Sequence, residues 1–385
     1  MNFNRHNKNL IFNWWWSIDR YMLSAIMIII AFSAVMVATA SPAIADRIGL
    51  ESFYFIRRQL IYLLLAIGII FVISSFSLEN IRRLSIISFL ICIFLLIIVL
   101  FSGTEIKGAR RWIQCFGLSI QPSEFTKPFF AVLIGWVLSQ KQKSQEFPIF
   151  KISIILYLIV VTLLILQPDF GMVVTISLVW GAQLFLAGLP LFWIFAATII
   201  AIFGVTGAYI FLPHVNQRIN NFIDPAVSEN YQIKKSLEAF SHGGLYGRGP
   251  GEGTVKQVLP DSHCDFIFAV IGEELGIIVC LIVLFLFAFI VIRGFFRILT
   301  ESDSFIFLST SGLLMQFGMQ SVINMGVTLN LFPTKGMTLP FVSYGGSSML
   351  AIAVGIGIIL AMTKKRIEVN KFKLNFRKNI KFQYK

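Results

Sequence analysis

The sequence predicts an all-α integral membrane protein of about ten transmembrane helices, with one long extracytoplasmic loop between spans seven and eight. Three observations carry that prediction. Of 385 residues, 57% are hydrophobic and 13% charged, with a mean hydropathy of +0.80; a soluble domain carries about 25% charged residues, so one aqueous core cannot hide this much apolar surface. The apolar residues stand in continuous runs rather than in alternation, which selects helices over a barrel. The 32 Lys and Arg residues, set against 19 Asp and Glu, are spread unevenly over the gaps between those runs.

The elements follow in order. Residues 1–20 form a polar segment closed by Trp14-Trp15-Trp16, which reads as an interfacial anchor. It is not a cleavable signal, since no small-residue cleavage site follows a short apolar stretch. A bilayer core of about 30 Å takes roughly 20 apolar residues per helix. Runs that qualify are 21–40, 59–77, 84–102, 124–139, 152–167, 171–187, 190–212, 266–292, 305–330 and 340–363. The first seven spans thus fill residues 21–212. An extracytoplasmic loop covers 213–264, spans eight to ten lie in 265–363, and a basic tail covers 364–385.

An even number of spans puts both termini on one side. Gaps on that side hold 19 Lys or Arg against 12 opposite, so both termini are expected in the cytoplasm, with the chain in the inner membrane. The same asymmetry accounts for the net charge of +13; no polar domain exists to bind nucleic acid. Cys92, Cys115, Cys264 and Cys280 form no CxxC pair, which supports neither a zinc site nor a disulfide framework.

Against that background the charged residues near the outer face stand out. Arg110 and Arg111 precede the fourth span, and Arg248 lies in the long loop; such an external basic surface attracts anions. Glu124 and Lys127, three residues apart in the fourth span, share a helix face as an ion pair. Two roles are open for them, a structural clamp or a substrate contact. Pro128 is expected in the first turn, where its missing N–H is tolerated. Asp265 opens the eighth span, and two roles are open here as well: a helix N-cap, or a general base whose pKa is raised at the boundary between water and lipid. Glu273 and Glu274 follow about 12 Å deeper, where structural hydrogen bonding is expected. His263 lies beside Asp265, but four histidines without an HExxH pattern make no fixed metal site. No cofactor is required by the pattern, and a loosely held Mg²⁺ or Mn²⁺ bridging Asp265 and a diphosphate is compatible with it. The run Gly243–Gly253 holds six glycines, read either as a flexible loop or as an anion-cradling turn around Arg248. Ser343 to Ser348 place a second glycine cluster inside the tenth span, for close helix packing.

Several of these stretches together resemble one family. Gly108-Ala109-Arg110-Arg111-Trp112-Ile113, Gln121-Pro122-Ser123-Glu124-Phe125-Thr126-Lys127 and Gln167-Pro168-Asp169-Phe170-Gly171 come first. Tyr231-Gln232 with Ser236, the Gly243–Gly253 loop, and Asp265-Phe266-Ile267-Phe268 with Gly272-Glu273-Glu274-Leu275-Gly276 follow. Asn324, Pro333-Thr334-Lys335-Gly336 and Leu339 through Ser348 complete the set. In order and over nearly the whole chain, they are similar to the shape, elongation, division and sporulation (SEDS) proteins, and to the division members more than to the rod-shape members. Cys264 and Asn330 depart from the family pattern, where threonine and glycine are common.

The resemblance implies a peptidoglycan glycosyltransferase at the division septum. It would polymerise lipid II at the outer membrane face beside a class B penicillin-binding transpeptidase and other divisome membrane proteins. Asp265 matches the family's proposed catalytic aspartate. Arg110, Arg111, Glu124, Lys127, Arg248 and Lys335 are the expected lipid II and diphosphate contacts. A lipid II flippase and a non-catalytic divisome scaffold are the competing readings.

Overall fold

The computed structural model describes residues 10–364, apart from 107–108, 116–117, 143–147, 212–215, 217–219, 221–230 and 334–335. Its helices are α1 (Leu10–Ser17), α2 (Arg20–Arg47), α3 (Tyr54–Ser74), α4 (Leu78–Ser102), α5 (Pro122–Ser139), α6 (Ile149–Leu166), α7 (Phe170–Leu186) and α8 (Leu191–Phe211). After the long connection come α9 (Tyr231–Gly243), α10 (Ile267–Ile298), α11 (Ser304–Thr328) and α12 (Gly346–Met362). Side-chain caps set several starts. Asp19 accepts from the amides of Tyr21 and Met22, Ser77 from Asn80, Asp169 from Met172 and Asp303 from Phe305, each satisfying a donor that the first turn leaves open.

A helix overlaps each of the ten apolar runs. Six of them, α2, α3, α4, α6, α10 and α11, are long and apolar enough by themselves to cross a membrane. The architecture is that of an all-α membrane protein with one small addition, an antiparallel three-stranded sheet between α4 and α5. It is made of β1 (Thr104–Ile106), β2 (Ala109–Cys115) and β3 (Leu118–Ile120). Helices α5 and α12 are buried along almost their whole lengths. The outer helices turn Leu64, Phe94, Phe101 and Phe285 to the surroundings, the inverse of a soluble surface.

Four details differ from the expectation. Helix α5 begins at Pro122, two residues before the apolar run, so Pro128 lies in the helix interior, where it leaves the Glu124 carbonyl without its amide donor four residues on. Helix α12 starts at Gly346 rather than at residue 340, because Phe341 has φ +61° and ends the preceding turn; the second glycine cluster therefore opens the helix instead of lying inside it. The eighth span begins at Ile267 with Phe266 as its N-cap, so Asp265 is not the cap. Finally, α10 is broken at Gly276, whose φ is +78°. Only glycine adopts that value freely, and a β-carbon there would collide with the Leu245 carbonyl.

That break is where the long loop docks. The amides of Arg248 and Gly249 donate to the carbonyls of Glu273 and Glu274, and those of Ile277 and Ile278 to Gly244 and Leu245. The glycine-rich run is therefore hydrogen-bonded to α10 rather than a flexible loop. Asn330, the family departure, has φ +58°; asparagine is among the few residues that tolerate the left-handed region in which glycine is usual.

Candidate functional site

Asp265 is half-buried in the tight turn that leads into α10. Three consecutive carbonyls of this turn are held from elsewhere in the chain. The Tyr344 amide donates to His263 O at 2.9 Å, Ser343 Oγ to Cys264 O at 2.6 Å, and Asn324 Nδ2 to Asp265 O at 2.9 Å. Gly336 comes against the carboxylate from the other side: a β-carbon at that position would lie 3.1 Å from Asp265 Oδ2. Asp265 is thus part-buried on a backbone that has little freedom to move.

His263 is buried beneath that turn. Its ring lies 4.7 Å from Phe55 and 5.3 Å from Tyr344, centroid to centroid, and its Nδ1 has no hydrogen-bond partner among the described residues. Burial pulls the imidazole down to about 4, against a smaller upward pull from Asp261. The side chain is consequently neutral at physiological pH and acts as one ring of an aromatic cluster. Among the described residues no three His, Cys, Asp or Glu side chains converge.

Glu273 and Glu274 are fully buried in the first half of α10. Glu273 Oε1 accepts from the amides of Thr254 and Val255 at 2.8 and 3.0 Å. Glu274 Oε1 pairs with Lys256 Nζ at 2.5 Å, and the same ammonium donates to the carbonyls of Thr39 and Gly251. All three of its protons are then used. These carboxylates hold the loop down, as expected for charges at that depth.

The other candidate residues do not converge on one point. Lys127 Nζ lies 2.8 Å from Glu124 Oε2 and 3.0 Å from Gln320 Oε1, with its side chain 1% exposed; the pair ties α5 to α11 inside the bundle. Arg111 donates to the carbonyls of Gln167 and Pro168 and lies 3.9 Å from Asp169, closing the turn between α6 and α7. Arg110 pairs with Glu105 across the sheet at 3.4 Å and is exposed. The Arg248 guanidinium, also exposed, donates to His242 O and Thr254 Oγ1. Lys335 lies outside the described residues. Charge reasoning passed over Ser343 and Gly336, which are neutral; their only signal was their place in the family-like motifs.

Comparison with known proteins gives the chain a family and relatives. The FTSW_RODA_SPOVE family model, described as cell cycle protein, matches residues 19–368. A probable peptidoglycan glycosyltransferase FtsW from Caulobacter vibrioides is 40% identical over 365 residues, 94% of each chain. Its counterpart from Legionella pneumophila is 36% identical, over 89% of this chain and 90% of its own. Among solved structures, a chain of a peptidoglycan synthase complex that coordinates polymerisation and crosslinking superposes with a TM-score of 0.75 at 26% identity, over 90% of this chain and 97% of that one. The rod shape determining protein RodA of Thermus thermophilus gives 0.68 at 26% identity, over 91% and 97%.

Proposed function

The chain belongs to the FtsW, RodA and SpoVE family of cell cycle proteins, and from that premise we propose that Asp265 is the general base of its glycosyl transfer. The protein is a peptidoglycan glycosyltransferase, the activity for which its relatives of 36–40% identity are named. Its substrate in this reading is lipid II, a disaccharide-pentapeptide on a polyprenyl diphosphate. The observation that carries the role of Asp265 is its place, part-buried, on a turn whose three consecutive carbonyls are tied from elsewhere in the chain. A base needs a fixed position, and that anchoring supports one.

The chemistry then runs as follows. Asp265 accepts the proton of the acceptor sugar 4-hydroxyl. The oxygen attacks the donor anomeric carbon with inversion, and the bond to the polyprenyl diphosphate breaks. Charge builds on the departing diphosphate and needs nearby cations. Arg110 and Arg248 are exposed and, with Lys335, suit that task. Arg111 and Lys127 already serve internal carbonyl and carboxylate partners, which favours a supporting role for them and for Glu124. A Mg²⁺ or Mn²⁺ ion at Asp265 would supply further neutralisation.

The reading sets this site at the outer face of the cytoplasmic membrane. Ten spans cross it, with residues 213–264 outside and residues 1–20 and 364–385 in the cytoplasm. A class B penicillin-binding transpeptidase and other divisome membrane proteins are its partners at the septum.

Asp265→Asn tests the base. Asparagine keeps the size of the side chain but not its basicity, and a general base contributes about 10²–10⁴-fold. Glycan strands formed from lipid II in detergent, where flipping is irrelevant, should fall at least about 100-fold at unchanged thermal stability. Near-normal polymer from a folded variant would overturn the assignment, and no polymer from the parent protein would favour the flippase or the scaffold.

A further inference from the structure

We propose that Asn324 is a positioning residue that fixes how far the Asp265 carboxylate reaches. This rests on Asp265 being the base. Asn324 is 1% exposed near the outer end of α11. Its Nδ2 donates to Asp265 O at 2.9 Å and to Met337 O at 2.6 Å. Both partners are acceptors, so only the amide's NH₂ end can face them and its orientation is unambiguous. One side chain thereby joins the turn that carries the base to the segment that borders it, since Met337 follows Gly336, where a β-carbon would lie 3.1 Å from Asp265 Oδ2. Its own Oδ1 is buried with no hydrogen-bond partner among the described residues.

Ser343 repeats the arrangement. Its hydroxyl donates to Cys264 O at 2.6 Å and accepts from the Leu339 amide at 2.8 Å. Two separate side chains thus bind residues 264–265 to residues 337–339. Both act on backbone oxygens of the turn. Their effect on the reaction is through distance, and catalysis is steeply sensitive to misplacement of a base.

Asn324→Asp keeps the shape of the residue and removes both donated bonds. With the full-length protein and lipid II in detergent, kcat should fall at least tenfold while KM stays within about twofold. In the double variant Asp265→Asn with Asn324→Asp, activity should be no lower than in Asp265→Asn alone, because a residue that acts through the base has nothing left to position. Multiplicative losses in the double variant, or full kcat in a folded Asn324→Asp protein, would overturn the proposal. If Asn324→Asp does not fold, Ser343→Ala provides the same reading, with the kcat loss expected there and recovered in Ser343→Thr, which keeps the hydroxyl. Loss of kcat in Ser343→Ala without recovery in Ser343→Thr counts against positioning. Should Asp265→Asn remain active, the base itself is misassigned; an inactive Asp265→Asn beside a fully active Asn324→Asp defeats only the positioning role.

Discussion

Lys256 Nζ and Glu274 Oε1 lie 2.5 Å apart, with side chains 6% and 0% exposed, and their contact fastens the glycine-rich connection to the broken helix α10. Removing one member of such a pair strands a buried charge, at a cost of about 3–5 kcal/mol. Glu274→Ala should therefore lower the thermal midpoint strongly. The apolar replacement Lys256→Met with Glu274→Leu should recover most of that loss. Thermal unfolding in detergent reads both, and a double variant as unstable as the single one would show that the pair does more than fasten the loop.

Glu124 and Lys127 form the second buried pair, 2.8 Å apart. Lys127→Met should destabilise by the same order, about 3–5 kcal/mol. Exchanging the two charges should restore part of the stability, though less than all, since Gln320 presents its carbonyl oxygen to Lys127. If both single variants melt like the parent while polymerisation stops, the pair belongs to substrate binding.

His263 makes stability depend on pH. The folded imidazole ionises near 4 against 6.5 for an unperturbed one, so between those values the unfolded chain binds more protons. Stability is then fully present above about pH 6.5, declines as pH falls, and levels off below about pH 4. The gap corresponds to at most about 3 kcal/mol. Melting curves of the parent and His263→Gln across pH 7 to 4 should converge toward the acid end; parallel curves would exclude His263 as the source.

Gly276→Ala forces an L-residue to φ +78° and drives its β-carbon into the Leu245 carbonyl. Strain and overlap together should cost about 2–4 kcal/mol. Gly68→Ala in α3, where nothing lies within 4 Å of the new methyl, is the control and should be neutral or slightly stabilising. Equal melting temperatures for the two variants would contradict the geometry at the break.

The helices were legible in the sequence because a run of apolar residues near bilayer length needs no partner to identify it. The Glu124–Lys127 pair was legible for a similar local reason, a spacing of three on one helix. What lay outside the runs was read less well. The sheet from Thr104 to Ile120 has strands of three to seven residues, too short for a period to declare itself. Asp265 was singled out by its charge, but the donors that hold its turn are 59 and 79 residues further along, and no local pattern connects them. The partners of Arg111 are just as remote, two carbonyls 56 and 57 residues away and the Asp169 carboxylate beside them.

The separation between Cys264 and Ser343, 79 residues, also has a meaning in time. Chains leave the ribosome at about 5–20 residues per second, so Ser343 and Tyr344 are made roughly 4–16 seconds after the turn they hold. During that interval the nascent protein carries Asp265 without all of its supports. A chain interrupted before Asn324 contains Asp265 yet none of the donors that steady its turn, so that turn is complete only within the last fifth of synthesis.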